Sequence, residues 1–430
     1  MGSRQLFTAL SSRNYRLFFT GQIVSLVGSW MTTTASLWLV YHLSSSASLL
    51  GVVGCASTIP IFFLAPFAGV WVERVNRHRL LVATQVFSML QSFALAAFAL
   101  TGTIGIPHLI ILSLVQGVIN AVDMPVRQAV VVEFVERKEH LGNAIALNSS
   151  LFNLARLIGP ALAGFVIAGF GPGMCYLVDG LTYVAVIVAL LAMRLPERPA
   201  RAVTQHPLIE LRQGFHYAFS FAPIRALIVL VAAISAIGFS YTVLTPIFAK
   251  DVFHGDARML GYLMAASGIG ALSAALYLSS RTTIRGLGKV IAFGGAAMGV
   301  GLIGFAWSRW LPLSLACLTL TGMGGVLLMA SSNTLVQTLV DDDKRGRVMS
   351  IFAMAFTGTM PIGNLLVGFI AEQLGTMVTL MACGVICIVI AGLFFRSIPK
   401  LRAAAAPTFA KLDTAVFEPI VHPMSEGKEE

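Results

Sequence analysis

Two long stretches of this chain contain no charged side chain, and they limit what it can fold into. Residues 17–72 and 80–122 contain no Asp, Glu, Lys or Arg. Because about 20 apolar residues of helix span a bilayer core, each stretch must cross a membrane at least twice. The composition agrees, since 57% of the residues are hydrophobic and only 11% are charged. We therefore predict an all-α, polytopic membrane protein.

Breaks at Gly, Pro and Ser divide the apolar runs into twelve predicted transmembrane helices. They lie near residues 14–42, 48–72, 79–101, 107–134, 141–169, 174–194, 224–249, 257–280, 288–307, 310–338, 346–372 and 376–396. The polar segment between the sixth and seventh helices has apolar residues at helical spacing, which predicts an amphipathic helix on the membrane surface. The predicted domains are six-helix bundles at 1–194 and 224–398, a linker at 195–223 and a disordered tail at 399–430.

Basic residues are unequally distributed between the two sides of the predicted membrane. The chain has 29 Lys and Arg against 19 Asp and Glu, a formal charge of +10. With the amino terminus placed in the cytoplasm, the opposite loops hold only Lys250, Arg258 and Arg309. This asymmetry predicts an inner-membrane protein with both termini in the cytoplasm. Nucleic-acid binding is not expected, because the basic residues lie in short linkers and form no patch interleaved with aromatic residues.

The two halves of the chain have matching residues, which indicates a duplication. Four residues of the fifth predicted helix match four of the eleventh at constant spacing, and two of the second match two of the eighth. The matched sets are Gly159, Gly164, Phe165 and Gly171 with Gly363, Gly368, Phe369 and Gly375, and Leu50 and Gly51 with Leu260 and Gly261. The pattern predicts two pseudo-symmetric bundles, an arrangement in which transporters bind substrate between the repeats.

Three segments resemble the major facilitator superfamily of transporters, and the resemblance extends over roughly residues 12–400. Residues 69–79, GVWVERVNRHR, are similar to its glycine, acidic and basic cluster, although Glu73 stands where Asp is usual. Residues 156–164, RLIGPALAG, are similar to a Gly-Pro segment of drug:proton antiporters. Residues 14–30, NYRLFFTGQIVSLVGSW, resemble the branch that holds enterobactin exporters and macrolide-efflux proteins.

The resemblance implies alternating access, in which two rocking halves enclose a substrate near the middle of the membrane. Gly159, Pro160 and Gly164 are expected to bend the fifth helix and to allow close packing, a feature that the resemblance associates with export. Many proton-coupled exporters of this superfamily carry an Arg three residues before a Gln-Gly pair, whereas this chain has Ser113 there. Coupling through that Arg is therefore excluded.

Ionisable residues inside the predicted helices are rare, and each needs a partner or a water-filled cavity, because a charge at a helix centre costs about 2.5 to 3.5 kcal/mol. Asp123 and Arg127 stand four residues apart on one helix face, and Arg156 lies near mid-membrane depth. We interpret Asp123 as the proton-binding group, with Arg127 and Arg156 adjusting its proton affinity and contacting anionic substrate. A static ion-pair cluster is the alternative. Asp179 and Glu372 are expected to snorkel or to cap helices.

Polar side chains inside the helices and charged clusters at their cytoplasmic ends complete the candidate sites. Gln22, Asn148 and Asn333 are candidates to line a substrate cavity, with helix packing as the alternative. Two end clusters are candidate gates that engage the facing half in the outward-open state and separate in the inward-open state, with a topology signal as the alternative. Their members are Gly69, Glu73, Arg74, Arg77 and Arg79, and Asp341, Asp342, Asp343, Lys344, Arg345 and Arg347.

Enzymatic activity is not expected, because all 8 histidines fall at predicted helix ends or in linkers and no H-E-x-x-H or G-x-S-x-G motif occurs. No nucleotide-binding G-x-x-x-x-G-K-[ST] motif occurs either, so an ion gradient is the expected energy source and no cofactor is expected. We predict a monomeric, proton-driven exporter of an amphipathic small molecule, either a drug-like compound or a siderophore. The alternatives are a lipid or lysolipid mover, an importer, and a non-transporting receptor or assembly factor.

Overall fold

The computed structural model describes residues 8–135, 137–193, 207–281, 283–341 and 344–417. Its α-helices are Arg13–Ser44, Ala47–Ala56, Ile59–Arg74, Arg77–Leu100, Ile106–Phe134, Leu141–Phe170, Pro172–Leu191, Pro207–Ser220, Ala222–Gly238, Tyr241–Ile247, Ala257–Ser279, Leu287–Trp307, Leu311–Leu339, Arg345–Thr357, Met360–Leu374 and Thr376–Phe417. Short 3-10 and π-helical segments lie at Lys138–His140 and Phe248–Val252. The predicted all-α fold is confirmed.

Within these ranges, 12 helical segments are long and apolar enough to cross a membrane. We number them as spans 1 to 12: Arg13–Ser44, Ala47–Leu64, Arg77–Leu100, Ile106–Val131, Leu141–Phe170, Pro172–Leu191, Ala222–Val252, Ala257–Ser279, Leu287–Trp307, Leu311–Leu339, Arg345–Leu374 and Thr376–Ala406. Spans 2 and 11 are interrupted just before Pro60 and Pro361, because proline lacks the backbone N–H that would continue the preceding helix. The predicted number of spans is confirmed.

The end of the last helix differs from the expected disordered tail at 399–430. The helix continues to Phe417, and residues 418–430 lie outside the described residues. The run of alanines at residues 403–406 explains the continuation, since alanine has the highest helix propensity. Ala405 is also buried in the core of the second half. A packed, alanine-rich continuation is therefore helical where composition alone suggested disorder.

Hydrogen bonds between span ends show that the chain alternates between two faces. The start of span 1 meets the end of span 6, where the Arg13 guanidinium donates to the carbonyl of Ala192 at 3.4 Å. The end of span 1 meets the end of span 7, where the Tyr41 hydroxyl donates to Asp251. We call the face at which span 1 begins the near face, and the face at which it ends the far face.

The two halves touch through matched pairs of glycines. A β-carbon added at Gly261 of span 8 would lie 3.3 Å from the α-carbon of Gly164 of span 5. One added at Gly51 of span 2 would lie 3.2 Å from the α-carbon of Gly368 of span 11. Because the repeat matches Gly51 with Gly261 and Gly164 with Gly368, these two contacts are equivalent under the pseudo-symmetry. Small residues allow membrane helices to approach backbone to backbone in this way.

The buried apolar clusters indicate where the halves are joined. One cluster contains residues from the far-face portions of both halves, including Val53, Ile167, Leu244 and Val367. A second, near-face cluster consists of first-half residues alone, such as Phe18 and Phe134. Apolar packing between the halves is therefore concentrated toward the far face.

The helix in the linker, Pro207–Ser220, packs on the second half. The side-chain amide oxygen Oε1 of Gln213 accepts a hydrogen bond from the Arg347 guanidinium at 2.9 Å, and Ala218 is fully buried. A β-carbon at Gly214 would lie 3.1 Å from the side chain of Ile351. This helix is therefore attached to the near-face end of span 11.

We expect Gly164→Leu to weaken the contact between spans 5 and 8, because a β-carbon at this position would lie 2.7 Å from the carbonyl oxygen of Ala257. Overpacking of this kind costs about 1 to 3 kcal/mol, so the melting temperature of the purified protein in detergent should fall by several degrees. Gly169→Leu in the same span is the matched control, because nothing lies within 4 Å of an added β-carbon there. Equal melting temperatures for the two variants would contradict the packing assignment.

Candidate functional site

Asp123 and Arg127 of span 4 form the centre of a buried polar hub. Two nitrogens of the Arg127 guanidinium donate to the Oδ2 atom of Asp123. The distance is 2.6 Å from Nη2 and 3.0 Å from Nε. The Oδ1 atom accepts from Thr84 at 2.8 Å and Gln85 at 2.6 Å, both in span 3. Arg127 also donates through Nη1 to Gln22 of span 1. The hub therefore ties spans 1, 3 and 4 together inside the first half.

The hub is mostly shielded from solvent, since Asp123 is only 7% exposed. Its carboxylate accepts four hydrogen bonds, two of them from the Arg127 guanidinium, and such charge-assisted bonds are stronger than bonds between neutral groups. Adding a proton to Asp123 would remove its attraction to Arg127 and loosen the contacts among three helices. The same geometry also fits the static ion pair that the sequence left as the alternative.

Arg156 lies apart from this hub and contacts aromatic side chains instead. It stands halfway along span 5, and its guanidinium carbon lies 5.9 Å from the ring centroid of Trp30 in span 1. The Trp30 ring in turn meets Phe152 edge to face, with centroids 5.9 Å apart. Among the side chains that the structure describes, Arg156 has no ion-pair partner. No ion pair joins Arg156 to Asp123, and the role of Arg156 in adjusting the proton affinity of Asp123 stays a prediction.

Arg156 lies on the side of span 5 that faces the boundary between the halves. Gly159 faces Trp30 of span 1, and Leu157 faces Gly268 of span 8. At 100° per residue, Arg156 lies between these two directions, in the angle that separates a first-half helix from a second-half helix. Phe152, one turn earlier on the same side, is 49% exposed. A cation and two aromatic rings thus border the region where the halves meet.

The three predicted amide residues lie in spans 1, 5 and 10. Gln22 belongs to the hub, whereas Asn148 in span 5 and Asn333 in span 10 are partly exposed and lie on different helices. Their proposed role in lining a cavity stays a prediction. The close-packing role of Gly164 agrees with its contact on span 8, and Gly159 packs against Trp30. The bend expected at Pro160 also stays a prediction.

The first near-face cluster is paired within its own half. Arg77 at the start of span 3 forms an ion pair of 2.7 Å with Glu133 near the end of the fourth-span helix. Arg79 is exposed and its backbone N–H is capped by Asn76 at 3.0 Å. The side chains of Glu73 and Arg74 and the surroundings of Gly69 lie outside the part that the structure describes. Engagement with the facing half therefore stays a prediction for this cluster.

The second near-face cluster likewise contacts its own half in the bonds described. Asp341 lies 3.6 Å from Lys344 and accepts a hydrogen bond from Tyr217 of the linker helix at 3.0 Å. Arg347 donates to Gln213 of that helix, and Arg345 is exposed at the start of span 11. Asp342 and Asp343 lie outside the described residues. A gating role for Asp341, Arg345 and Arg347 stays a prediction.

Glu372 closes the far face by capping a helix of the opposite half. Its Oε2 atom, at the end of span 11, accepts from the backbone N–H groups of Ala47 at 2.6 Å and Ser48 at 3.1 Å. It also accepts from the Ser46 hydroxyl at 3.1 Å. The unpaired N–H groups and the dipole at a helix start favour a carboxylate there. Capping was expected of Glu372, but its position across the interface was not.

A second far-face contact joins spans 1 and 7. The Tyr41 hydroxyl donates to Asp251, and the Lys250 ammonium lies 5.3 Å from the centroid of the Tyr41 ring. Tyr41 is buried and belongs to the apolar cluster that crosses between the halves. Together with the contacts of Glu372, this hydrogen bond joins the halves at the far face, next to the apolar cluster that contains residues of both halves.

Asp179 contradicts the expectation of snorkelling, because it lies inside the first half and is only 2% exposed. Its Oδ2 atom accepts from Thr32 of span 1 and Ser92 of span 3, each at 2.9 Å. A β-carbon at Gly28 would lie 2.7 Å from its Oδ1 atom. The sequence did not indicate this burial. Asp179 lies only seven residues after the start of its helix, which suggested a position near the membrane surface, but its side chain faces spans 1 and 3.

Comparison with known proteins agrees with this architecture. Residues 5–423 match the family model described as transmembrane secretion effector. The chain belongs to this family. The predicted membership of the major facilitator superfamily is thereby confirmed, and the family consists of transporters.

Two curated relatives align with this chain along nearly their whole length. The staphyloferrin A transporter of Staphylococcus aureus is 28% identical over 390 residues, covering 90% of this chain and 97% of the relative. The multidrug efflux pump Tap of Mycolicibacterium fortuitum is 25% identical over 390 residues, covering 87% and 93%. A solved POT family transporter in complex with 5-aminolevulinic acid has a TM-score of 0.72 at 12% identity, covering 91% of this chain and 97% of that one. The last similarity shows the fold alone.

We expect Glu372→Ala to favour opening of the far face, because the variant loses three hydrogen bonds between the halves. If hydrogen bonds to the carboxylate contribute about 2 kcal/mol in total, the population with an open far face should rise roughly thirtyfold. Distances between spin labels on the far ends of spans 2 and 11 would measure that population. Asp256 is a far-face acid that caps span 8 within its own half, so Asp256→Ala should leave the distances between the spin labels unchanged. Similar distances in wild type and Glu372→Ala would contradict the assignment.

Proposed function

We propose that the protein is a proton-coupled exporter of an amphipathic small molecule and works as a monomer in the inner membrane by alternating access. The observation that carries this proposal is the position of Arg156, which faces the boundary between two pseudo-symmetric halves and has no ion-pair partner among the described residues. A charge at this depth costs about 2.5 to 3.5 kcal/mol unless water or an oppositely charged group meets it. A substrate that enters between the halves can supply such a group.

The chemistry around Arg156 favours a substrate with both an aromatic and an anionic part. Trp30 and Phe152 offer ring faces and edges, and the guanidinium offers fork-shaped donors for a carboxylate, phosphate or sulfonate. The staphyloferrin A transporter and the multidrug efflux pump Tap support a small-molecule substrate by their names. A drug-like compound or a siderophore that carries an anionic group fits both lines of support.

The proposed orientation places the near face in the cytoplasm, with both termini there. The distribution of basic residues supports it, since Lys250, Arg258 and Arg309 are the exceptions on the far side. In that orientation the closed far face corresponds to the inward-facing state, ready to bind substrate from the cytoplasm. Glu372 and Tyr41 would then release their partners when the halves rock to open outward.

Asp123 is the proposed site at which proton binding is coupled to this rocking. Arg127 links it to Gln22 on span 1, and Thr84 and Gln85 link it to span 3. Protonation would release Arg127 and let spans 1 and 4 change their relative position, so that a local charge change biases a larger movement. A proton gradient then favours one state of the halves over the other.

We expect Arg156→Gln to impair export of anionic substrates selectively. In proteoliposomes, it should lower transport of the anionic dye sulforhodamine B by about tenfold, the loss expected when one hydrogen-bonded ion pair of about 1.5 kcal/mol is removed. Tetramethylrhodamine methyl ester, a cationic dye with the same ring system, should be affected little. Arg309→Gln, which removes an exposed far-face cation, is the control. Equal loss for both dyes would contradict a role of Arg156 in substrate recognition.

We expect Asp123→Asn to abolish dye transport driven by a proton gradient while leaving dye binding intact, because the amide cannot exchange a proton. Transport into inverted vesicles and binding by fluorescence anisotropy would separate the two steps. Glu139→Gln, at an exposed near-face position, should transport as wild type does. Full gradient-driven transport by Asp123→Asn would remove this residue from the coupling mechanism.

A further inference from the structure

The buried face of span 3 is polar, although the helix lies inside the first half. Five of its buried side chains, Thr84, Gln85, Ser88, Gln91 and Ser92, recur at the spacing of a single helix face. Ser and Thr are common on interior helix faces of membrane proteins, but each buried glutamine adds amide donors and acceptors that must all find partners. Neither the hub alone nor packing in general requires this continuous stripe.

The stripe connects the two buried carboxylates of the first half. At one end Thr84 and Gln85 donate to Asp123, and at the other Ser92 donates to Asp179. Between them, the Gln116 amide of span 4 donates to the Ser88 hydroxyl at 3.2 Å. One continuous polar surface thus runs from the fourth span, along the third, to the sixth.

The hydroxyls of the stripe are spaced for water-mediated transfer. Thr84, Ser88 and Ser92 are each four residues apart. A helix rises about 1.5 Å per residue, so successive hydroxyls lie about 6 Å apart along the axis. One water molecule with two hydrogen bonds of about 2.8 Å bridges such a gap.

Unpaired polar atoms along the stripe independently indicate where water would bind. The described residues include four buried side-chain atoms beside it that lack a hydrogen-bond partner: Gln22 Nε2, Gln85 Oε1, Gln116 Oε1 and Asp179 Oδ1. A buried polar group without a partner is costly, and buried water is the usual partner when two or more such groups converge. Their donors and acceptors lie at both ends and in the middle of the stripe.

Span 9, the equivalent helix of the second half, has no such stripe among its described residues, which argues against a general packing requirement. Aligning the first residues of spans 3 and 9 places Gln85 opposite Gly295 and Ser88 opposite Met298. All the buried residues assigned to span 9 are apolar or glycine. Spans 3 and 9, which occupy matching positions in the two halves, thus differ in the polarity of their buried residues.

We propose that the polar face of span 3 conducts protons between Asp179 and Asp123, through a path separate from the region between the halves. The inference rests on the proposed function, since it supplies a route for the coupled proton. Asp179 takes up a proton nearer the far face, and Asp123 receives it nearer the near face. Each hydroxyl or water accepts one proton as it donates another, so the relay itself is left unchanged, and the glutamine amides hold the waters in place.

The groups around both carboxylates are compatible with this role. Asp179 is contacted by hydroxyls of Thr32 on span 1 and Ser92 on span 3, and it shares span 6 with Cys175 and Tyr183. Asp123 faces one cation, Arg127. Tyr183, which is also buried in the first half, shares a hydrogen bond of 3.1 Å with Ser29.

The test compares Ser88→Val with Ser88→Thr in proteoliposomes. The two replacements have nearly the same shape and add the same bulk at a buried position, but only threonine keeps the hydroxyl. Internal pyranine would report proton movement, and sulforhodamine B, whose fluorescence does not depend on pH, would report substrate movement. Exchange of dye between equal pools, which needs no net proton movement, would show that each variant is folded and binds substrate.

We expect Ser88→Val to lower dye-coupled proton movement by about tenfold, because valine removes the hydroxyl that bridges Thr84 and Ser92 in the relay. Ser88→Thr should stay near wild type, and both should retain exchange. If wild type is coupled and Ser88→Val is coupled equally well, the span 3 path is refuted while the proposed function stands. Equal loss of coupling in both variants would likewise refute the hydroxyl relay. Dye movement by wild type without proton movement, or no dye movement at all, would instead refute the proposed function itself.

Discussion

Close contact between glycine backbones is the interaction on which the arrangement of the two halves depends. Within a bilayer, helices gain little from burying apolar side chains against one another, since the lipid is equally apolar. Association therefore relies on dispersion contacts at short range and on hydrogen bonds. Gly164 with Gly261 and Gly51 with Gly368 provide the first, and Glu372 on the start of span 2 provides the second. Both lie toward the far face, so the halves are held there and can move relative to each other elsewhere.

The first half combines this contact surface with an unusual number of buried polar groups. Asp123, Arg127, Asp179 and the polar face of span 3 lie within it, whereas the equivalent buried face of span 9 is apolar or glycine. Burying charge and amide groups is costly in hydrocarbon, so their concentration in one half indicates a function and not a stabilising design. We infer a division in which the first half handles protons and the boundary between the halves handles substrate. Arg156 lies at that boundary and Asp123 lies away from it.

Sequence reasoning located single residues better than it located their partners. It placed Asp123 and Arg127 on one helix face, because residues four apart are neighbours on a helix, and the structure has that ion pair at 2.6 Å. It proposed that Arg156 adjusts the proton affinity of Asp123, which stays a prediction, and it did not indicate that Arg156 contacts Trp30. The stripe on span 3 was visible in principle as polar residues at one-face spacing in a charge-free helix. It was overlooked because none of those five side chains is ionisable.

The membrane environment, the number of spans and the repeated halves could be predicted from the amino-acid sequence alone. Each of these follows from local composition or from self-comparison, and hydropathy is a strong signal because a bilayer tolerates so few charges. Three features became visible only in the folded chain: Glu372 caps a helix of the opposite half, Asp179 is buried, and Gly51 contacts Gly368. Those facts depend on how each helix is rotated about its axis and on which spans become neighbours. Rotation and neighbourhood are set by packing between residues hundreds of positions apart, and a single sequence carries no local signal for them.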